Sequence, residues 1–290
     1  MDLFLQQLCN GLIIGSTYAV VALGFALAFS VLRVVHFAHP DIFMVGMFSG
    51  LVAANAFPGM GLLIALAAGA AGAGLLGYFA ERTIIGPLRG RDMLTTLIGT
   101  LGLSIILQNG MALLVGPDPV PYPGLLPRRF LDIGPVMLTL RQVADFVLSL
   151  FLLALVSAFV RLTRTGRATR AIADRPDVAA AFGVDVPRVC QKTIVFASAV
   201  AGVAAVSVGT LYGSASAFVG LTYGLKAFTC MLVAGNRYIE GVVAVAFILG
   251  VVEALVTGYL SSSMKDAVAF IVLIGVLYVR PSGLFGSYAT

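Results

Sequence analysis

Charge is scarce in this chain. Only 11% of its 290 residues are charged, 60% are hydrophobic, and mean hydropathy is +1.03. A soluble domain carries about a quarter charged residues, so there is too little polar surface here to cover a water-exposed globule. Cysteines are few, and Cys9, Cys190 and Cys230 lie far apart in or beside apolar segments with no CxxC pair. They read as small packing residues, which argues against a disulfide framework or a cysteine metal site. No GxxxxGKS/T phosphate loop and no HExxH occurs, so neither ATP hydrolysis nor zincin chemistry is expected of this chain. Ser16, Ser198 and Ser207 have no histidine at a recognisable spacing. No catalytic residue is therefore assigned. The opening MDLFLQQLCNG lacks a basic n-region, and no cleaved signal peptide is expected.

What is present is a series of apolar runs near the length of about 20 residues that crosses hydrocarbon. They fall at 8–31, 41–57, 61–81, 94–115, 142–160, 192–213, 223–235, 241–260 and 266–280. Strands of a membrane barrel would alternate polar and apolar residues, and these runs do not. The fold class is an all-α polytopic membrane protein with eight or nine transmembrane segments, at least one of them broken or re-entrant. The segments 223–235 and 266–280 are the short ones. A single domain is expected over 1–290. Runs such as ALAAGAAGAGLLG (Ala65–Gly77) supply close helix–helix approach, which drives packing in lipid.

The formal charge of +5 reflects basic loops held inside the membrane boundary rather than a nucleic-acid partner. Arg82, Arg89 and Arg91 follow the third run, and seven Lys or Arg residues lie between Arg161 and Lys192. Both connections are expected in the cytoplasm, with the Pro- and Gly-rich segment at about 116–141 outside. Arg128 and Arg129 in that external loop depart mildly from the rule.

Two places carry functional signals. The first is VVHFAHPDIFMVG (Val34–Gly46), which holds both histidines. Pro40 disfavours a continuous helix at His39, suits the first position of a new one, and brings Asp41 to the positive end of its dipole. A break at 36–41 can line a substrate path or be a plain turn at the membrane edge, and the residues alone leave both open. A metal would need further ligands beyond His36, His39 and Asp41, and the sequence offers no matched cluster, so no metal is expected. The second place is the polar, basic and alanine-rich cytoplasmic segment at about 161–190. Within it Pro176 and Asp177 can open a short helix that Gly183 closes. Such a capped helix suits docking of a soluble partner. Among other polar residues, Glu253 reads as a packing residue near a helix end, and Lys226 as a side chain snorkelling to an interface. Gln108 and Asn109 read as helix-to-helix hydrogen bonders.

Around these places the sequence resembles the permeases of branched-chain amino acid ABC importers. The likeness is carried by NGLIIGSTYAVVALGFALAFSVLRVVHFAHPDIFMVG, by DVAAAFG (Asp177–Gly183) beside the importer EAAxxxG signature, and by a C-terminal region ending RPSGLFG. His36 stands where the family usually has Asn, Pro40 where it usually has Gly, and Asn236, Arg237 and Tyr238 occupy a stretch that is usually Gly-rich. The resemblance implies an inner-membrane permease subunit of a bacterium. It implies a homologous second permease, two cytoplasmic ATPases that use ATP and Mg²⁺, a periplasmic solute-binding protein and the lipid bilayer as partners, and no cofactor in this chain. It places a substrate path or helix break at His36, Phe37, His39, Pro40 and Asp41. It places ATPase coupling at Arg167, Arg170, Asp174, Pro176, Asp177, Ala179 and Gly183. Relatives that carry urea, short amides or small carboxylates, and a stand-alone secondary transporter or small-solute channel, are the alternative readings.

Overall fold

Every one of the nine apolar runs lies on a helix in the computed structural model, which describes residues 2–58, 61–235 and 239–285. The helices are α1 (Asp2–Leu32), α2 (His39–Ala56), α3 (Gly61–Ala80), α5 (Met93–Val115), α6 (Leu140–Leu162), α9 (Val186–Tyr212), α10 (Val219–Ala234), α11 (Ile239–Tyr259) and α12 (Lys265–Val279). A π turn (Glu81–Ile85) and a short α4 (Gly86–Leu88) extend α3, and α7 (Arg164–Asp174) and α8 (Pro176–Ala181) lie between α6 and α9. Seven helices among the described residues are long and apolar enough to cross a membrane. The run at 266–280 belongs to one of the seven, whereas α10 is too short and α2 opens on His39, Pro40 and Asp41. The protein is thus an all-α polytopic membrane protein. Among the described residues strand structure is confined to β1 (Val120–Pro121), β2 (Phe130–Ile133), β3 (Val136–Thr139) and β4 (Ser214–Ala215), paired β1–β4 and β2–β3.

Several boundaries extend past the apolar runs because hydropathy registers lipid while a helix ends where its caps are. Asp185 starts α9 ahead of the apolar run, its Oδ1 accepting from the Arg188 N–H at 3.2 Å. A capping box starts α6. The Gln142 N–H donates to Thr139 Oγ1 (3.3 Å) and the Thr139 N–H donates to Gln142 Oε1 (2.8 Å).

The packing repeats itself. The order α1–α2–α3–α5 in the first half matches α9–α10–α11–α12 in the second, with α6 between them. Helix α1 lies along α11 as α9 lies along α3; α2 packs on α9 as α10 packs on α1; and the two α1/α9 and α2/α10 pairs meet. Burial follows the same exchange. In α1 and α9 the apolar window is 78% and 72% buried, placing both at the centre, and in α5 and α12 it is 11% in each, placing both at the rim. Small residues allow the close crossings. A Cβ on Gly15 would lie 2.8 Å from the Phe247 Cα in α11, and one on Gly202 would lie 2.6 Å from the Ala73 Cβ in α3.

Candidate functional site

The chain turns sharply after Leu32. The backbone of 33–38 leaves helical geometry and α2 begins at His39 with Pro40 in its first turn, so proline costs no hydrogen bond there. The His39 N–H donates to the His36 carbonyl at 3.1 Å and the Asp41 N–H donates to the Ala38 carbonyl at 3.1 Å. A second turn of the same form lies between α9 and α10. There the Val219 N–H donates to Ser216 O (3.2 Å) and the Leu221 N–H donates to Phe218 O (3.1 Å). Each half therefore has such a break. The two new helices touch at their first turns: Pro40 and Asp41 of α2 lie directly against Gly220 and Gly224 of α10, where a Cβ on Gly220 would meet the Pro40 carbonyl oxygen.

The structure brings the five predicted residues of the first break to this junction. His36 and His39 are fully enclosed, their ring centroids 6.1 Å apart, and His39 stands edge-on to Phe25 at 5.6 Å with its Nε2 against Gly24. None of their four ring nitrogens has a hydrogen-bond partner among the described residues, and Asp41 Oδ2 has none. Asp41 Oδ1 accepts from Gln108 Nε2 at 3.0 Å, and the Phe37 N–H donates to Thr100 Oγ1 at 3.4 Å. Helix α5 thus closes one side. Gln108 bonds across helices as expected, whereas Asn109 bonds within its own helix, to the Ile105 carbonyl at 2.8 Å. No group of three or more metal-ligating side chains forms among the described residues.

The polar segment at about 161–190 folds as two short helices rather than one. Thr163 caps α7, accepting from the Gly166 N–H at 2.9 Å, and Gly166, Thr169 and Ile172 form its buried face. Thr169 and Thr193 join α7 to α9 through their hydroxyls at 2.8 Å. Arg167, Arg170 and Asp174 stay exposed. After a kink at Arg175, Pro176 opens α8, Ala179 is its one buried residue, and Gly183 at φ +82° closes it, in the left-handed region open to glycine. Asp177 is exposed, and so is Phe182, at 85%. The predicted coupling residues thus share one projecting unit, to which sequence reasoning did not add Phe182.

A family profile described as the permease component of the branched-chain amino acid transport system matches residues 7–277. The chain belongs to this family. The high-affinity branched-chain amino acid transport system permease protein LivH of Salmonella typhimurium is 36% identical, with 98% of this chain and 96% of that protein covered. BraD of Pseudomonas aeruginosa is 35% identical at the same coverage. Among solved structures, PsaBC from Streptococcus pneumoniae in complex with Fab aligns over 96% of this chain and 92% of that one. Its TM-score is 0.51 at 17% identity, a likeness of fold. The protein is a transport component and not itself an enzyme.

In this branched-chain permease two polar clusters lie outside the predicted break and coupling residues. Lys226 does not snorkel. It is 3% exposed and its Nζ meets Glu253 Oε1 at 2.6 Å, the Tyr18 hydroxyl at 2.9 Å and Asp266 Oδ1 at 3.0 Å. Glu253, expected as a packing residue near a helix end, is wholly buried at the centre of this cluster, with Tyr18 (3.1 Å) and Lys265 (3.4 Å) on the same oxygen. A bare ion in lipid is costly, and pairing removes most of that cost. Four helices are pinned this way. Asp145, unremarked in the sequence, is the second such centre. It is 2% exposed, and it accepts from Thr17 Oγ1 (2.9 Å) and Ser207 Oγ (2.6 Å), joining α6 to α1 and α9. The signal for both was a lone acid inside an apolar run, which marks an intramembrane partner even when the partner cannot be named.

A cavity of about 600 Å³ opens between α1, α6, α7, α10 and α11, lined by Leu27, Ser30, Arg33, Ser157, Arg161 and Glu240 among others. Its size suits a small solute. Arg161 and Glu240 form an ion pair at its edge. At the far end of the bundle Tyr122 straps the second break. Its N–H donates to Gly213 O (3.0 Å), its hydroxyl donates to Met47 O (3.4 Å), and its ring lies over Gly209. Burial pushes the Tyr122 phenol well above its usual range, which keeps it a donor. Asn236, Arg237 and Tyr238, where the chain departs from the family's Gly-rich stretch, lie outside the described residues.

Proposed function

We propose that this chain is the membrane-spanning permease subunit of a binding-protein-dependent importer that moves branched-chain amino acids into the cell. The observation that carries this reading is the family match over residues 7–277, with relatives named as branched-chain amino acid permeases aligned end to end. Its partners would be a homologous second permease, two ATPases using ATP and Mg²⁺ on the cytoplasmic side and a periplasmic solute-binding protein, in a bacterial inner membrane. All nine apolar helices would cross or enter the bilayer, with the α7–α8 segment inside and 116–141 outside. With α6 as the odd fifth crossing, the second half then runs opposite to the first, the inverted arrangement used for alternating access.

In this reading 165–183 is the coupling segment, with Arg167, Arg170, Asp174 and Asp177 on its exposed surface and Phe182 at its tip. The complete assembly in proteoliposomes should take up leucine only when ATP and binding protein are supplied. Replacing Asp177 by Lys and Gly183 by Val together should leave insertion intact. It should cut uptake per ATP hydrolysed by about tenfold or more, since Val is strained at Gly183 and the acidic contact is reversed. Uptake by this chain reconstituted alone, with no ATPase present, would overturn the importer reading.

The junction of the two breaks is the proposed substrate path. Two helix N-termini meet there with their positive ends, which suits a carboxylate, and Asp41 Oδ2 is an unpartnered acceptor suited to an ammonium. Asp41→Asn keeps an oxygen for Gln108 and removes the charge. It should raise the KM for leucine about tenfold, the worth of one hydrogen bond to a charged group. Unaltered KM and kcat of uptake would return 36–41 to the reading of a plain turn.

A further inference from the structure

Arg33 is the one described non-glycine residue with a positive φ, +55°. It ends α1, its N–H donating to the Phe29 carbonyl at 2.7 Å. Glycine would take this conformation without strain, and an arginine does not. Its side chain accounts for the choice. One guanidinium nitrogen, Nη2, donates to the carbonyls of Ala173 (2.8 Å) and Asp174 (2.7 Å), the last two residues of α7. Those carbonyls lie at the negative end of a helix and have no partner within it, so a cation is the fitting occupant. Helix α7 is thereby fastened at two points. Thr169 ties its middle to α9 through a buried contact, while Arg33 ties its end to the chain three residues before His36. The second tie lands on the first break itself and lines the 600 Å³ cavity. The second break is fastened at the other end of the bundle by β1, β4 and Tyr122. Each break is held by a segment outside the helix bundle.

We infer that Arg33 is the positioning residue that transmits movement of the α7–α8 segment to the α1–α2 break. The inference rests on the importer reading, in which α7–α8 meets the ATPase. When the segment is drawn toward its partner, the guanidinium pulls on the C-terminal end of α1. Pro40 and Asp41 then shift against Gly220 and Gly224, where the halves touch. No other side-chain hydrogen bond or ion pair among the described residues links α7 to residues 33–38.

Arg33→Gly tests this cleanly, because glycine removes the tie and suits the backbone. In the complete reconstituted assembly the variant should insert and assemble as well as the unsubstituted chain and keep its ATPase rate. Leucine taken up per ATP should fall about tenfold or more, since both charge-assisted hydrogen bonds that carry the pull are lost. Arg33→Lys, able to reach one carbonyl, should fall between. Arg33→Asn, which also tolerates the left-handed conformation, should match the glycine variant and replaces it if that one fails to assemble. A purely structural tie would change assembly yield and leave the ratio of uptake to ATP as it was, and that result overturns the inference. Absence of ATP-driven uptake in the unsubstituted assembly would overturn the importer reading instead, and this inference with it. The two failures are distinct because they occur in different samples.

Discussion

Glu253→Leu should destabilise the folded permease by about 3–5 kcal/mol, the cost of leaving a buried ion without its partner. The carboxylate oxygen that Lys226, Tyr18 and Lys265 all approach would be gone. Asp266, 70% exposed on its side chain, would be the only acid left near Lys226 among the described residues. Leucine keeps most of the volume, so the loss reports charge rather than an empty space. Adding Lys226→Met should recover most of it, because a buried pair exchanged whole for apolar groups is often neutral or better. The measurement is the unfolding midpoint in mild detergent for the single variants and the double variant. If the double variant is no better than Glu253→Leu, the cluster is not held by the Lys226–Glu253 pair.

Gly202→Val should be the most damaging substitution in the small-residue crossings. A Cβ at Gly202 would lie 2.6 Å from Ala73 Cβ and 2.8 Å from the Gly69 carbonyl carbon, with Gly46 in contact on the α2 side. The obstacle is backbone, which cannot rotate aside. Helices α3 and α9 would have to separate, at a cost of about 1–3 kcal/mol or more for an overpacked site. The loss should show as a lower unfolding midpoint and a lower yield of monodisperse protein. Gly102→Val is the matched control, since a Cβ there meets nothing within 4 Å, and it should leave the midpoint of this subunit where it was. Equal damage from both would mean that the α2–α3–α9 crossing does not set stability.

The helices were legible because lipid selects continuous apolar length, a property of the sequence read locally. Pro40 marked the first break and Pro176 with Gly183 marked α8, each through the φ its residue type allows. The second break carries no proline. It runs from Gly213 through Ser214, Ala215, Ser216 and Ala217 to Phe218, and it became visible only as the counterpart of the first. Long-range pairing was illegible for a different reason. Glu253 and Tyr18 are 235 residues apart, and Thr17 and Asp145 are 128 apart. Composition flags each as an intramembrane polar group, but the helix it faces is fixed by tertiary packing. Lys226 departs from the snorkelling expectation because the low-cost exit open to a lysine in a short apolar run loses to acids that await it inside. Arg33 was legible as the end of α1, but neither its left-handed backbone nor its hold on α7 follows from local sequence.

The buried cluster also sets an order of events during synthesis. Lys226 leaves the ribosome before Glu253 and Asp266 exist. At that moment α10 carries a lysine whose transfer into hydrocarbon costs about 2.5–3.5 kcal/mol at mid-membrane, on a helix of only 16 residues. Alone it is a poor candidate for lateral release into lipid. Twenty-seven residues later its partner arrives on α11, and Asp266 follows on α12. The last three helices are therefore expected to enter the bilayer as one delayed package, with α10 held at the translocon until its countercharges on α11 and α12 have been made.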